Sequence, residues 1–162
     1  MLVAAAAAGF LPWNWAPART FMGDVGSGFL GFMFAGLAVA SENVQALPAL
    51  VWLLLLSVFF ADSTITLVRR MLRGDRWYAP HRTHAYQRLV QAGWSHSGVT
   101  LAVLGLDAGL GALAWRAAQA PEMLAPLLAA TTLALGFLYL AVESRYPMPG
   151  RIRSQDEEGP VR

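Results

Sequence analysis

Asp24 is the one carboxylate in the stretch NWAPARTFMGDVGSGFLG over 14–31, where glycine and serine lie close to it and apolar sequence lies on both sides. The glycines around it let the backbone come close to a ligand. A carboxylate in such a turn can bind a hard cation and leave coordination positions for phosphate oxygens, as Mg²⁺ sites in phosphoryl transfer do. The structural alternative is a helix N-cap at Asp24 or Ser27, and on the aspartate alone this alternative is favoured.

A second polar group lies at 80–87, PHRTHAYQ. Arg82 could bind diphosphate oxygens through its planar guanidinium, and His84 could act as a donor or a proton carrier near neutral pH. His81 and His84 have a spacing at which two histidines can share a zinc ion, but no third ligand of a suitable type is near in sequence. We therefore do not expect zinc here.

Long apolar segments must position these residues, because 56% of the 162 residues are hydrophobic and 14% are charged. This composition indicates a membrane protein rather than a soluble or nucleic-acid-binding domain. Cysteine is absent, which excludes disulfides and thiolate metal sites. We predict an all-α fold, a polytopic transmembrane helix bundle with four spans: Val25–Ala40, Leu47–Val68, Val99–Ala118 and Met123–Val142.

The segments outside these spans complete the predicted organisation. Met1–Leu11 is apolar but shorter than the roughly 20 residues of a span, so it is predicted to be an N-terminal helix stub, the last half of a transmembrane helix. Pro12 is expected to break it. Residues 1–142 are predicted to form one membrane domain, the C-terminal half of a larger protein, and residues 143–162 a disordered cytoplasmic tail.

The arginines predict the orientation. Eleven of the twelve fall on the side that holds Asp24, the basic loop Arg69–Gly98 and the tail, and Arg116 falls on the other. The positive-inside rule places the eleven in the cytoplasm, so Asp24 and His84 are expected to face the same compartment. We assign the arginines mainly to topology, with Arg82 as the exception. An inner-membrane, multi-pass location with cytoplasmic site loops follows.

Two aspartates lie inside predicted spans, where a carboxylate must face protein or water. Asp107 is mid-span, and a buried structural role is favoured for it. Asp62 lies in the cytoplasmic half of its helix, where pairing with an arginine and a role in the lipid-phosphate groove are equally supported.

The motif over 14–27 and the basic loop that contains His84 resemble the polyprenyl-phosphate N-acetylhexosamine-1-phosphate transferases. The resemblance implies transfer of an N-acetylhexosamine 1-phosphate from a UDP-sugar to undecaprenyl phosphate, with Mg²⁺, or Mn²⁺ in its place, as cofactor. It implies a metal-binding Asp24, a catalytic His84, and substrate contacts from Asn14, Phe21 and Arg82. The HAYQ sequence, where the family usually has HIHH, resembles the branch that starts O-antigen lipids.

The family also has a paired-aspartate motif on an earlier loop, and this chain has no adjacent aspartates. We therefore expect the chain to be inactive alone and to require an N-terminal half or a partner chain. The alternative is a non-catalytic or complementing membrane subunit that binds polyprenyl phosphate or nucleotide.

Overall fold

The computed structural model describes residues 1–76, 78 and 82–148. All regular structure in these residues is helical, which confirms the predicted all-α class. The seven α-helices and one short 3₁₀ helix, in chain order, are α1 Leu2–Asn14, α2 Gly23–Asn43, α3 Ala49–Leu55, α4 Ser57–Leu72, α5 Ala85–Gln91, α6 His96–Gln119, the 3₁₀ helix Pro121–Met123 and α7 Leu124–Arg145.

Three of the described helical segments are long and apolar enough to cross a membrane: α2, α6, and α7 together with its 3₁₀ turn. Counting the bent pair α3 and α4 as one span gives four, in agreement with the prediction. Helix α2 has 21 residues and ends at Asn43, so it is longer at both ends than the predicted span Val25–Ala40. Helix α1 continues past Pro12 to Asn14, so the predicted break at Pro12 was wrong.

The predicted continuous helix Leu47–Val68 is wrong, because it is broken at Leu56 and the axes of α3 and α4 differ by 75°. Leu56 leaves the helical conformation with φ −101° and ψ 6°. The hydroxyl of Ser57 donates to the carbonyl of Leu54 at 2.8 Å, and serine is a residue whose side chain competes for backbone partners and bends helices.

The packed centre of the molecule lies where α3 meets α6 and the start of α7. Val51 and Leu54 of α3 are buried against Ala114 and Ala117 of α6, whose small side chains let the helices approach closely. The C-terminal half of α2 joins this centre through Trp52, whose indole N–H donates to the Ser41 hydroxyl at 3.0 Å. No residue of α2 itself is buried.

The basic loop is shorter than predicted and contains a helix. Helix α4 runs on to Leu72, α6 already begins at His96, and α5 lies between them. The C-terminal boundary also differs, because α7 continues to Arg145 and Met148 is buried. Since residues 149–162 are outside the described residues, the disordered tail stays a prediction for them.

Candidate functional site

The turn between α1 and α2 is held together by its own polar groups. The amide of Asn14 donates to the carbonyl of Thr20 at 2.9 Å, and the backbone N–H groups of Arg19 and Thr20 both donate to the carbonyl of Trp13. These bonds fold residues 14–20 back over the end of α1. Asn14 therefore has a structural task in this turn, whatever else it contacts.

Helix α2 begins at Gly23 with a left-handed backbone, φ 65°, a conformation that glycine adopts without strain. Met22 is the N-cap residue and Asp24 lies inside the first turn, so the N-cap alternative for Asp24 is wrong. A carboxylate in the first turn still interacts favourably with the helix dipole. Asp24 is exposed, and Ser27 donates to its backbone carbonyl at 3.2 Å.

The described residues contain no group of three or more His, Asp or Glu side chains that could hold a metal ion. An exposed single carboxylate nevertheless fits Mg²⁺ bound partly by substrate, because this ion usually keeps several waters and takes only one or two carboxylates together with phosphate oxygens. Asp24 is thus chemically suited to supply one ligand, and further ligands must come from substrate or from residues outside this part of the chain.

Phe21 and Arg82, the other predicted substrate contacts, are exposed. The Phe21 ring is 81% exposed just before α2, and Arg82 lies between α4 and α5 with its backbone carbonyl accepting a hydrogen bond from Gln91 at 2.9 Å. Both are available to a ligand. His81, considered for zinc, lies outside the described residues.

His84 is the N-cap residue of α5, and the side chain of Gln87 accepts a hydrogen bond from the His84 backbone N–H at 3.3 Å. The carboxylate of Asp62, on α4, reaches this point: its Oδ2 is 3.5 Å from Nδ1 of His84 and its Oδ1 accepts the Ala85 N–H at 2.8 Å. Asp62 thus joins the membrane helix to the start of α5. The alternative of an arginine partner for Asp62 was wrong, since within the described residues its carboxylate contacts α5 and Thr66 instead.

The ring of Tyr86 stacks on that of His84, with centroids 5.8 Å apart and planes 19° from parallel. Burial, and then the negative charge of Asp62, raise the pKa of the Tyr86 hydroxyl above its ordinary value, while a hydrogen bond with Gln87 lowers it. The phenol therefore stays protonated at neutral pH and can serve as a hydrogen-bond donor beside His84.

The other end of α5 is fixed by Glu143, near the end of α7. Its Oε2 is 2.6 Å from Nη1 of Arg88, and its Oε1 is 2.9 Å from Nη2 of Arg69 on α4. Arg88 is 2% exposed and also donates to the Tyr146 carbonyl at 2.7 Å. We call Glu143, Arg69 and Arg88 the ion clasp. It binds α4, α5 and α7 to one another.

Tyr139 completes the surroundings of the ion clasp. Its ring centroid is 5.3 Å from the guanidinium carbon of Arg88 and 5.9 Å from that of Arg69, within cation–π range. The backbone N–H of Met148 donates to Glu143 as well, at 3.2 Å. The single carboxylate is therefore shared by two cations and by the chain that follows α7.

The structure does not bring the two predicted catalytic residues together. No hydrogen bond or ion pair joins Asp24 to His84 in the described part of the chain, and α2 packs on α3 rather than on α5. The structure instead groups His84 with Asp62, Tyr86 and Gln87.

Comparison with known proteins identifies the relatives. Residues 1–42, which include α1, the turn and nearly all of α2, match the family model for glycosyl transferase family 4. The chain is 35% identical over 98 residues to a probable undecaprenyl-phosphate N-acetylglucosaminyl 1-phosphate transferase of Bacillus subtilis, covering 59% of this chain and 27% of that protein. These matches support the resemblance of the chain to the polyprenyl-phosphate hexosamine-1-phosphate transferases.

Other relatives are consistent with this transferase family. A decaprenyl-phosphate N-acetylglucosaminephosphotransferase of Mycobacterium tuberculosis is 34% identical over 116 residues, covering 64% of this chain and 29% of the relative. A phospho-N-acetylmuramoyl-pentapeptide-transferase of Mycobacterium sp. strain KMS is 38% identical over 107 residues. The match covers 62% of this chain and 28% of that relative. The chain thus spans under a third of the length of these relatives. No solved structure matches it significantly.

Together with the apolar helices, these relatives identify a multi-pass membrane protein. The region matched by the transferase family model contains Asn14, Phe21 and Asp24 but ends before Asp62 and His84. Sequence reasoning missed the ion clasp, having placed Glu143 in the tail. One signal was present: an acidic residue at the end of an apolar run requires a cationic partner when helices pack around it.

Proposed function

We propose that this chain forms part of the site of an integral membrane transferase that moves N-acetylhexosamine 1-phosphate from a UDP-sugar to a polyprenyl phosphate such as undecaprenyl phosphate, starting a lipid-linked surface polysaccharide. The observation that carries the proposal is the exposed carboxylate of Asp24 in the first turn of α2, inside the region that matches the family model. The site loops are proposed to face the cytoplasm, at the bacterial inner membrane, on the basis of the arginine distribution.

The reaction is the attack of a lipid phosphate oxygen on the phosphorus that bears the sugar, which breaks the bond to UMP and forms a lipid diphosphate sugar. The nucleophile is already an anion, so the protein mainly has to bring two negative groups together and neutralise them. Mg²⁺, when bound, would supply positive charge to the diphosphate, and Asp24 would hold it. Asn14 and Phe21 are proposed to contact the nucleotide, and Arg82 the phosphates.

His84 is proposed to act as a hydrogen-bond donor or proton carrier at the same reaction, because its ring lies beside Asp62 of α4 and a protonated Tyr86. Asp24 and His84 must then be brought closer by the other part of the transferase. The described residues provide one candidate metal ligand in Asp24 and no cluster of metal-binding side chains around it, so we propose that the chain needs a partner segment carrying the paired aspartates.

The test is a hybrid enzyme. The part of the Bacillus subtilis relative that precedes the matched region is joined to this chain or expressed with it, and membranes are assayed for UMP release from UDP-N-acetylglucosamine and undecaprenyl phosphate. The hybrid is expected to release UMP, and Asp24→Asn is expected to lower the rate at least about 10²-fold, the size of effect seen when one preorganised charge-stabilising group is lost. EDTA should abolish turnover, and Mg²⁺ or Mn²⁺ should restore it.

Glu122→Gln is the matched control, because Glu122 is an exposed carboxylate in the 3₁₀ helix and the substitution removes the same charge. Its rate should equal that of the unmodified hybrid. Turnover by this chain alone would contradict the proposed need for a partner segment. A hybrid that keeps its rate after Asp24→Asn would contradict the role given to Asp24.

A further inference from the structure

Asp107 lies at the middle of α6, a helix of 24 residues that is long and apolar enough to cross a membrane. At 1.5 Å per residue it is about 16–18 Å from either end of the helix. A carboxyl group at this depth, whether ionised or neutral, needs a hydrogen-bonding partner, because the acyl chains of lipid offer none. The reaction proposed above does not use this residue.

The described residues supply no such partner to Asp107. No hydrogen bond or ion pair from this part of the chain reaches its carboxylate, and the residue is only partly buried. Arg116, the arginine of the same helix, is nine residues away, about 14 Å along the axis. The buried structural role predicted for Asp107 is therefore not met by contacts within these residues.

Asp107 belongs to a face of α6 that is only partly covered. Thr100, Leu104 and Gly111 share this face with it, at successive intervals of four, three and four residues, the spacing of a helix–helix seam. Leu104 is 46% exposed, and a Cβ added to Gly111 would meet nothing within 4 Å. Leu110, on the core side of α6, is 7% exposed by contrast. We call Thr100, Leu104, Asp107 and Gly111 the α6 seam.

The chemistry of the α6 seam is suited to a second membrane helix. Gly111 has no side chain, so a neighbouring backbone can approach closely one turn away from Asp107. A polar side chain on that neighbour can then reach the carboxylate. The pairing requires a donor, which is either a cationic side chain or the N–H or O–H group of an uncharged one.

A second copy of this chain does not meet that requirement. Packed in the same orientation, it would bring its own Asp107, an acceptor of the same charge, to the same depth. Its Thr100 hydroxyl already donates to the His96 carbonyl at 2.9 Å. The other part of the proposed transferase is the better occupant, because this chain covers 27% of the Bacillus subtilis relative and most of such a protein lies outside it.

We propose that Asp107 is the docking point for a transmembrane helix of the other part of the transferase, a helix with a cationic or hydrogen-bond-donating side chain at mid-membrane depth. The identity of that other part rests on the proposed function. The unmet need of Asp107 for a donor does not, since it follows from the contacts of the described residues.

The first experiment tests whether Asp107 bonds within this chain alone. The purified 162-residue chain is unfolded in detergent micelles, and Asp107→Leu is expected to leave the unfolding midpoint unchanged or to raise it, because no bond is lost and leucine suits the membrane. A lower midpoint would reveal an internal partner and overturn the proposal. A dimer that the same substitution dissociates, measured by light scattering, would show that a second copy covers the α6 seam and would overturn it as well.

The second experiment measures capture of the other part. The segment of the Bacillus subtilis relative that precedes the matched region is expressed with the affinity-tagged chain and captured in mild detergent. Asp107→Leu is expected to weaken the association about 3- to 30-fold, the fold-change that corresponds to one polar contact between membrane helices. Asp107→Asn keeps an acceptor oxygen and should lose less. Gly111→Leu should block the approach, whereas Gly109→Leu, in open space on a different side of α6, is the control and should leave capture unchanged.

Equal capture by the wild type and by Asp107→Leu, with helix content retained, would overturn the proposal, and so would a wild-type chain that captures nothing. Neither result depends on turnover. A hybrid that assembles through Asp107 and releases no UMP would contradict the proposed function alone. A hybrid that releases UMP and is unaffected by Asp107→Leu would contradict the docking proposal alone.

Discussion

The ion clasp supplies the sharpest stability prediction, through the substitution Glu143→Gln. This change keeps the shape of the side chain and removes the charge that two arginines share, at 2.6 Å from Arg88 and 2.9 Å from Arg69. Arg88 is 2% exposed and would be left as a buried cation with a second cation near it. Breaking a buried pair from one side typically costs about 3–5 kcal/mol, whereas an exposed pair costs about 0–1 kcal/mol.

The structure places the expected cost at the lower end of the buried range. Arg88 keeps its hydrogen bond to the Tyr146 carbonyl at 2.7 Å and its contact with the Tyr139 ring at 5.3 Å, and both remain favourable to a cation. Arg69 has a side chain that is 32% exposed and can turn toward water. We therefore expect Glu143→Gln to lower the free energy of unfolding by about 3 kcal/mol.

The assay is unfolding of the purified chain in mixed detergent micelles, with loss of helix followed by circular dichroism as the denaturing detergent is increased. Glu122→Gln, which removes an exposed carboxylate, is expected to change the free energy of unfolding by at most about 0.5 kcal/mol. Arg88→Met should be destabilising alone. Combined with Glu143→Gln it should cost less than the sum of the two single changes, because the unpaired buried charge is then absent.

Two results would refute this reasoning. A loss of under about 1 kcal/mol for Glu143→Gln would mean that water reaches Arg88 and that the pair behaves as an exposed one. Strict additivity in the cycle with Arg88→Met would mean that the two side chains do not act on each other, whatever their distance.

Two further substitutions test the backbone and the core. Gly23→Ala should cost about 1 kcal/mol, because Gly23 has φ 65° and a Cβ added there would meet open space, so that only the backbone conformation resists. Gly36→Ala, in open space at ordinary helical φ, should instead stabilise the helix by up to about 1 kcal/mol, since alanine favours a helix more than glycine does. Leu54→Ala should cost about 2 kcal/mol of unfolding free energy. This is the low end for a buried leucine, because the unfolded chain stays in an apolar detergent. Leu53 is 46% exposed, so Leu53→Ala should cost far less. Both pairs are measured by the same unfolding assay, and equal losses within a pair would contradict the assignment.

The sequence predicts the helices that cross the membrane because lipid imposes a minimum apolar length. The last two predicted spans end within three residues of α6 and α7 at every boundary. The break at Leu56 was not predictable in the same way. The run around it is rich in leucine and contains no glycine or proline, and Ser57 is the one residue there with a local reason to bend a helix.

The site was predictable only where its signal is local. Asp24 stands in a short motif whose residues adjoin one another, so the sequence alone identified it as a candidate. The ion clasp joins residues 55 and 74 positions apart, and no pattern within one segment contains that pairing. Asp62 was predictable in part. Its place in a membrane helix indicates that it needs a polar partner, but the sequence does not identify that partner, because Ala85 is 23 residues away.

The length of α5 explains why these distant contacts matter for His84. A helix of seven residues is too short to be stable by itself, so α5 must be held by its surroundings. Asp62 binds its first N–H and Glu143 binds Arg88 in its last turn, and these two carboxylates belong to α4 and α7. The position of His84 is therefore set by how α4 and α7 pack in the membrane. A change at Glu143 should therefore disturb His84 through α5.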